Sequence, residues 1–329
     1  MAVWLSGWQY RKSVTISGST GAGTNYQVPL NVGESSGATG CDFHLNGHSA
    51  SFPSDKNQGG DLRFTSSDGS TLLDFWVESV SGSSPNRVAK VWVEVSADLG
   101  SNQSIYCYFG NANATNASNI VNTFKDGDDF SSDTTANYTV SGGSITYDST
   151  NKRLNITGTS GNTVVAKTAA QSFASPYVIE AKMSVVKRGT GDVNGCYLSA
   201  VLGFKTTLTG NDGYSFDFGH LTNTLTSGIS VEKYTVAHLQ TASITYSDST
   251  LYLIKGLCQS GNLQTTFQRT TSTPVSTDTS FTSGYYGLRT YYADSVVDWW
   301  FVRKYVSPEP AFSSAGSEEL PPAFLLFFN

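Results

Sequence analysis

Charge is what this 329-residue sequence has least of. Asp, Glu, Lys and Arg make up 14% of it, against roughly 25% in an ordinary soluble domain. No run of Lys or Arg occurs and the formal net charge is −6, so the electrostatic footprint of a nucleic-acid-binding protein is missing. No stretch approaches the roughly 20 apolar residues that cross a bilayer as a helix, which excludes membrane insertion of that kind. The start, Met1-Ala2-Val3-Trp4-Leu5-Ser6-Gly7-Trp8, lacks the basic head and apolar run of a secretory leader. The expectation is either that a leader has been removed or that export follows another route, such as virion assembly and lysis. Cysteine is scarce as well: Cys41 and Cys107 fall in the first part, Cys196 and Cys258 in the second. One disulfide in each part suits an oxidising compartment and four free thiols a reducing one, and the sequence leaves both open.

What is present is a 38% hydrophobic fraction, enough for a core, set among abundant Ser, Thr, Asn and Gly. The apolar residues alternate. Val28, Leu30 and Val32 are separated by Pro29 and Asn31; Val91, Val93 and Val95 by Trp92 and Glu94; Ile105, Cys107 and Phe109 by Tyr106 and Tyr108. Period-2 alternation is the signature of half-buried strands, and no amphipathic helix longer than a turn or two competes with it. Gly- and Ser-rich clusters at 18–23 and 81–84 punctuate the runs as turns. The pattern lapses at 111–122 and resumes after the acidic stretch Asp126-Gly127-Asp128-Asp129, which reads as a domain boundary. The fold expected is all-β: two tandem antiparallel β-sandwich or jelly-roll domains at 1–125 and 126–310, then a linker and apolar tail at 311–329.

The first part carries Gly7-Trp8-Gln9-Tyr10-Arg11-Lys12, Asp61-Leu62-Arg63-Phe64-Thr65, Asp68-Gly69, Phe75-Trp76-Val77-Glu78, Val91-Trp92-Val93 and Tyr106-Cys107-Tyr108-Phe109-Gly110-Asn111. In that order these elements resemble a β-rich domain of uncharacterised function found in archaeal, bacterial and phage surface proteins. The resemblance covers about 1–125 and implies a surface location with a binding or structural role. The second part carries Asp128-Asp129-Phe130, Tyr177-Val178-Ile179-Glu180-Ala181-Lys182 and the closing Val297-Asp298-Trp299-Trp300-Phe301-Val302-Arg303-Lys304-Tyr305. Over about 126–310 it resembles the concanavalin A-like lectin and glucanase fold. Enzymes of that fold place paired carboxylates as Glu-x-Asp-x-(x)-Glu on one strand. Here the glutamates between 126 and 310 are Glu180, Glu232 and Glu309, none with an acidic neighbour at that spacing. The reading is a module without catalytic residues.

Three binding constellations stand out. Trp76 and Trp92 lie on the alternate face of their strands beside Asp74, Glu78, Lys90 and Glu94, where an exposed pair would stack on a sugar ring. The alternative is cover by another segment, for which Trp4 and Trp8 are available. Cys41, His44 and His48, with Asp42, have ligand types suited to zinc, against a loop whose histidines bond to backbone. Asp126, Asp128 and Asp129, joined by Asp298 from the last predicted strand, offer oxygens for a structural calcium, against a solvated acidic linker.

The function expected is a non-enzymatic virion-surface protein (a decoration, fibre or receptor-binding component) that takes cell-surface glycans as partners. A secreted cell-surface adhesin or extracellular filament subunit is the alternative, and a polysaccharide-active enzyme the third reading. Phe324, Leu325, Leu326, Phe327 and Phe328 end the chain in an apolar run behind Pro321 and Pro322. Left in water they would form a patch as large as most soluble monomers tolerate. They are expected to dock on another copy of the chain or on an assembly partner, with folding back onto their own domain as the alternative.

Overall fold

A computed structural model describes residues 3–158, 161–187, 196–210, 212–221, 227–233 and 237–322. Among them the helical segments are one turn at Ile120–Thr123 and a 3-10 turn at Thr135–Asn137; the regular structure is otherwise strand. The chain divides into two compact units. One takes in the chain up to Lys125 and again from Lys304, and the other runs Asp126–Arg303.

The first unit is a sandwich of two sheets. One has the order Ala311–Glu319, Tyr10–Ser17, Gln103–Phe109, Arg63–Thr65, Leu72–Leu73; the other Phe43–His44, Tyr26–Gly33, Val88–Val95, Phe75–Ser81. All pairs are antiparallel except Tyr26–Gly33 with Phe43–His44. The alternation explains the core directly. Val28, Leu30 and Val32 face Val93, Val91 and Ala89 across the ladder, and all are buried against Val14, Ile16, Phe64 and Cys107 of the opposing sheet.

One expectation is corrected here. The stretch read as a linker from residue 311 is strand at Ala311–Glu319, paired antiparallel to Tyr10–Ser17 with Arg11 opposite Glu319 and Ala315 opposite Val14. Its sequence, Ala-Phe-Ser-Ser-Ala-Gly-Ser-Glu-Glu, is mostly exposed because it is an edge strand, and only Phe312 and Ala315 pack on the core. Edge strands are polar outside and need not alternate strongly, so composition alone cannot tell them from linkers. Residues 323–329, with the expected docking tail, lie outside the described residues.

The second unit is a larger sandwich. Its first sheet runs Tyr138–Ser141, Asn162–Lys167, Ser283–Tyr291, Tyr197–Lys205, Tyr214–His220, Gly228–Lys233, Ala237–Ser243. Its second runs Ser144–Asp148, Arg153–Thr157, Ala293–Lys304, Tyr177–Lys187, Tyr252–Cys258, Gln264–Phe267, Thr271–Ser272. The inner faces meet in one core that includes Ile179, Val201, Phe216, Phe218, Ile254, Leu288 and Trp300. Two glycines set how closely the sheets approach: a Cβ at Gly203 would stand 2.2 Å from Cys258 Sγ, and one at Gly256 2.4 Å from the Phe216 ring. All four cysteines are free thiols. Burial pushes the Cys107 and Cys258 thiols well above their ordinary range, which keeps both protonated and unreactive.

Candidate functional site

The strand Tyr214–His220 reads Tyr-Ser-Phe-Asp-Phe-Gly-His. Tyr214, Phe216 and Phe218 enter the core, so Ser215 and Asp217 project from the opposite face. Its neighbour, Gly228–Lys233, repeats the device: Ile229 and Val231 go inward, Ser230 and Glu232 outward. Pairing puts Asp217 opposite Ser230 and Ser215 opposite Glu232, and the next strand brings His238 opposite Glu232. Two carboxylates and an imidazole thus share one face of three adjacent strands. One ligand atom from each of Asp217, Glu232 and His238 lies within 4.8 Å of the others.

Arg289 reaches them from two strands away. Its backbone neighbour across the ladder is Ala200, which in turn pairs with Asp217. That small residue leaves room for the arginine to pass over it. Arg289 Nη1 donates to Glu232 Oε2 at 3.0 Å and Ser215 Oγ at 3.2 Å, and approaches Asp217 Oδ1 at 3.5 Å. Its Nε donates to Asn162 Oδ1 at 2.7 Å, and its guanidinium lies 5.1 Å from the Tyr291 ring centroid. Ser215 Oγ donates to Asp217 Oδ1, and Ser230 Oγ donates to Oδ2 at 2.9 Å. Asp217 is wholly buried, and Arg289 nearly so. Glu232, His238 and Tyr291 are part-exposed. Burial, and then the Glu232 charge, push the Asp217 carboxyl up to about 6 against the opposing pull of Arg289. The His238 Nδ1 is buried with no hydrogen-bond partner among the described residues. An apolar patch of Cys196, Leu198, Ala200, Leu221 and Tyr291 adjoins the cluster.

Trp76 and Trp92, and Cys41, His44 and His48, follow the alternative reading of their constellations: cover for the first, separate partners for the second. Trp76 and Trp92 are both buried, so neither ring is offered to a sugar. Their cover includes Phe124, whose ring meets them edge-on at 5.9 and 5.6 Å, while Trp4 meets the Tyr108 ring and Trp8 lies against Arg63. Trp92 Nε1 donates to Glu78 Oε2 at 2.7 Å. Cys41, His44 and His48 are not gathered into a ligand group: the Cys41 thiol approaches the Ala38 carbonyl at 3.6 Å, while His48 pairs with Glu318 at 2.9 Å and stacks on Tyr10. Of the three only His44 lies in a strand, at the end of Phe43–His44, and short spacing in sequence does not reveal where the other two turn.

The four aspartates of the calcium constellation each have protein partners. Asp126 is ion-paired to Lys167 at 2.7 Å, and Asp298 to Arg153 at 3.2 Å and Lys182 at 3.1 Å. Asp128 accepts from Phe130 N, Thr134 Oγ1 and Tyr138 OH, and Asp129 from Ser131 N. Their oxygens are engaged by protein donors, and protein cations already neutralise Asp126 and Asp298. The first expected motif is likewise structural. Asp61, wholly buried, accepts from Ser49 Oγ at 2.5 Å, Ala50 N at 2.8 Å, Gly110 N at 2.7 Å and Asn111 N at 3.1 Å. Its own carbonyl takes the Trp8 Nε1 proton at 3.0 Å.

Residues 58–140 match the model of a family described as a domain of unknown function, DUF2341. No curated protein matches the chain. Among solved structures the chain is similar to the carbohydrate-binding module CBM66 from Bacillus subtilis, with 13% identity, 51% of this chain and 96% of that one covered, and a TM-score of 0.41. It is similar to the VIP36 exoplasmic/lumenal domain in its Ca2+/Man-bound form, with 10% identity, coverage of 54% and 89%, and a TM-score of 0.40. It is also similar to a glycosyl hydrolase family protein from Mycobacterium fortuitum, with 13% identity, coverage of 54% and 99%, and a TM-score of 0.35. What each of those proteins binds or cleaves belongs to that protein.

Proposed function

We propose that this chain is a non-enzymatic surface protein that binds a glycan on the outer face of the second unit's first sheet. The observation that carries the reading is the Asp217–Glu232–Arg289 cluster beside Tyr291. Planar groups that donate or accept two hydrogen bonds at once, fixed by their own partners and set next to an aromatic ring, are what sugar hydroxyls and a sugar's apolar face require. Glu232, His238 and Tyr291 reach solvent and would touch the ligand; Asp217 and Arg289 lie behind and fix their geometry. The setting proposed is a virion surface, with a secreted adhesin or filament subunit as the alternative. The apolar residues Phe324, Leu325, Leu326, Phe327 and Phe328 would then serve assembly by docking on a second copy or an assembly partner.

One observation favours a polysaccharide-cleaving enzyme: a carboxyl raised to about 6 with a second carboxylate close by. Retaining glycosidases hold such a pair roughly 5 Å apart. Burial of Asp217 weighs against it. Both its oxygens accept from serine hydroxyls and Arg289 bridges it to Glu232, so it is not placed to protonate a glycosidic oxygen. The test is a panel of neutral, acidic and amino polysaccharides assayed in parallel for binding and for release of reducing ends or unsaturated products. Saturable binding without turnover is expected. Turnover abolished by Asp217→Asn would establish the enzyme instead.

A further inference from the structure

We propose that Asp217, Glu232 and His238 form a binding site for a divalent cation of the zinc class. Three features of the cluster carry this. The donors are one nitrogen and two carboxylate oxygens from three neighbouring strands, mutually within 4.8 Å. Among the described residues two carboxylates face one guanidinium, Arg289, so their charges do not balance. Among the described residues nothing hydrogen-bonds the buried Nδ1 of His238. Buried polar atoms are nearly always answered, and an unanswered one beside surplus negative charge marks a place where a cation belongs.

The donor set selects the class of ion. Calcium takes six to eight oxygens, and this site offers too few. One imidazole with two carboxylates suits zinc or its first-row neighbours, for which three protein ligands leave a further position open. Sheet geometry supports the assignment, because strands hold ligands more rigidly than loops do. A Ser hydroxyl stands on each Asp217 oxygen and supplies the outer hydrogen bonds that orient a metal ligand. The site is distinct from the acidic stretch at Asp126–Asp129, which supplies carboxylates and no imidazole. It stands whether or not the same face binds a glycan.

The test uses the full-length, tag-free chain stripped with chelator and titrated with zinc chloride by calorimetry, and with cobalt(II) by absorption. Saturable binding of one equivalent is expected, with a cobalt spectrum free of thiolate charge-transfer bands. His238→Ala and Glu232→Gln should each weaken zinc by at least about tenfold, while a Cys41→Ser, His44→Ala, His48→Ala triple variant binds like the parent. Circular dichroism establishes that each variant is folded. Absence of saturable binding in the parent, equal affinity in His238→Ala, or loss of binding in the triple variant would each overturn the assignment.

Discussion

Replacing Asp217 by Asn should make the protein more stable at neutral pH, although it removes a hydrogen-bonded, ion-paired residue. An unfolded aspartate titrates near 3.8, whereas burial and the Glu232 charge raise Asp217 to about 6 in the folded protein. Between those two values the folded state holds a proton that the unfolded state has released. Stability from this group is therefore fully present below about 4, falls as pH rises to about 6, and stays low above it. The displacement withholds on the order of 1–3 kcal/mol of stability at pH 7.5. The amide is close in shape to the protonated acid, can accept from one of the two serines and donate to the other, and carries no charge to bury. In a unit of this size 1 kcal/mol moves the midpoint by roughly 2–4 °C, so Asp217→Asn should melt several degrees above the parent at pH 7.5 and level with it near pH 4. The assay is a pair of thermal melts across pH 4–8, read as the difference between variant and parent. That difference cancels groups such as Glu180, which Arg269 and Arg303 hold down at about 2 despite its burial. A variant that melts below the parent at pH 7.5, or a difference that does not change with pH, would refute the electrostatic account of the cluster.

Three further outcomes follow from the packing. Asp61→Ala strands three backbone N–H groups, and at ~1–3 kcal/mol for each unanswered buried donor it should unfold the first unit or lower its midpoint sharply, seen by chemical denaturation. Gly256→Ala drives a methyl into Phe216, and overpacking of this kind costs ~1–3 kcal/mol, which thermal melts of the second unit would register. Truncation after residue 310 removes the strand Ala311–Glu319 with its Arg11–Glu319 and His48–Glu318 pairs; hydrogen exchange should then speed up along Tyr10–Ser17, whereas a chain cut only at 320 should match the parent there.

Alternation made most strands legible, because half-buried antiparallel strands must write their core face into every second residue. It failed at Ala311–Glu319, where an edge position removes that constraint. It left Trp76 and Trp92 between exposure and cover, because the outer face of a sheet reads as polar until something is seen to cover it; Phe124, just past the stretch where the pattern lapses, helps to do so. The Asp217–Glu232 pair was invisible to a search for acids along one strand. Its members meet across a ladder, and register between strands is not written in either strand alone. The usable signal was the repeated motif itself: Ser-Phe-Asp in one strand and Ser-Val-Glu in the next, each with an apolar residue between two polar ones. The acidic stretch at 126–129 does not disclose its partners, since the cations paired with Asp126 and Asp298 come from other strands.

Hydrogen exchange with and without a polysaccharide that binds in the panel tests the central claim most directly. The account predicts new protection at Ser215–Asp217 and Ser230–Glu232, no change in the first unit, and intact polysaccharide recovered afterwards. Protection confined to the first unit, or a shortened polysaccharide, would contradict it.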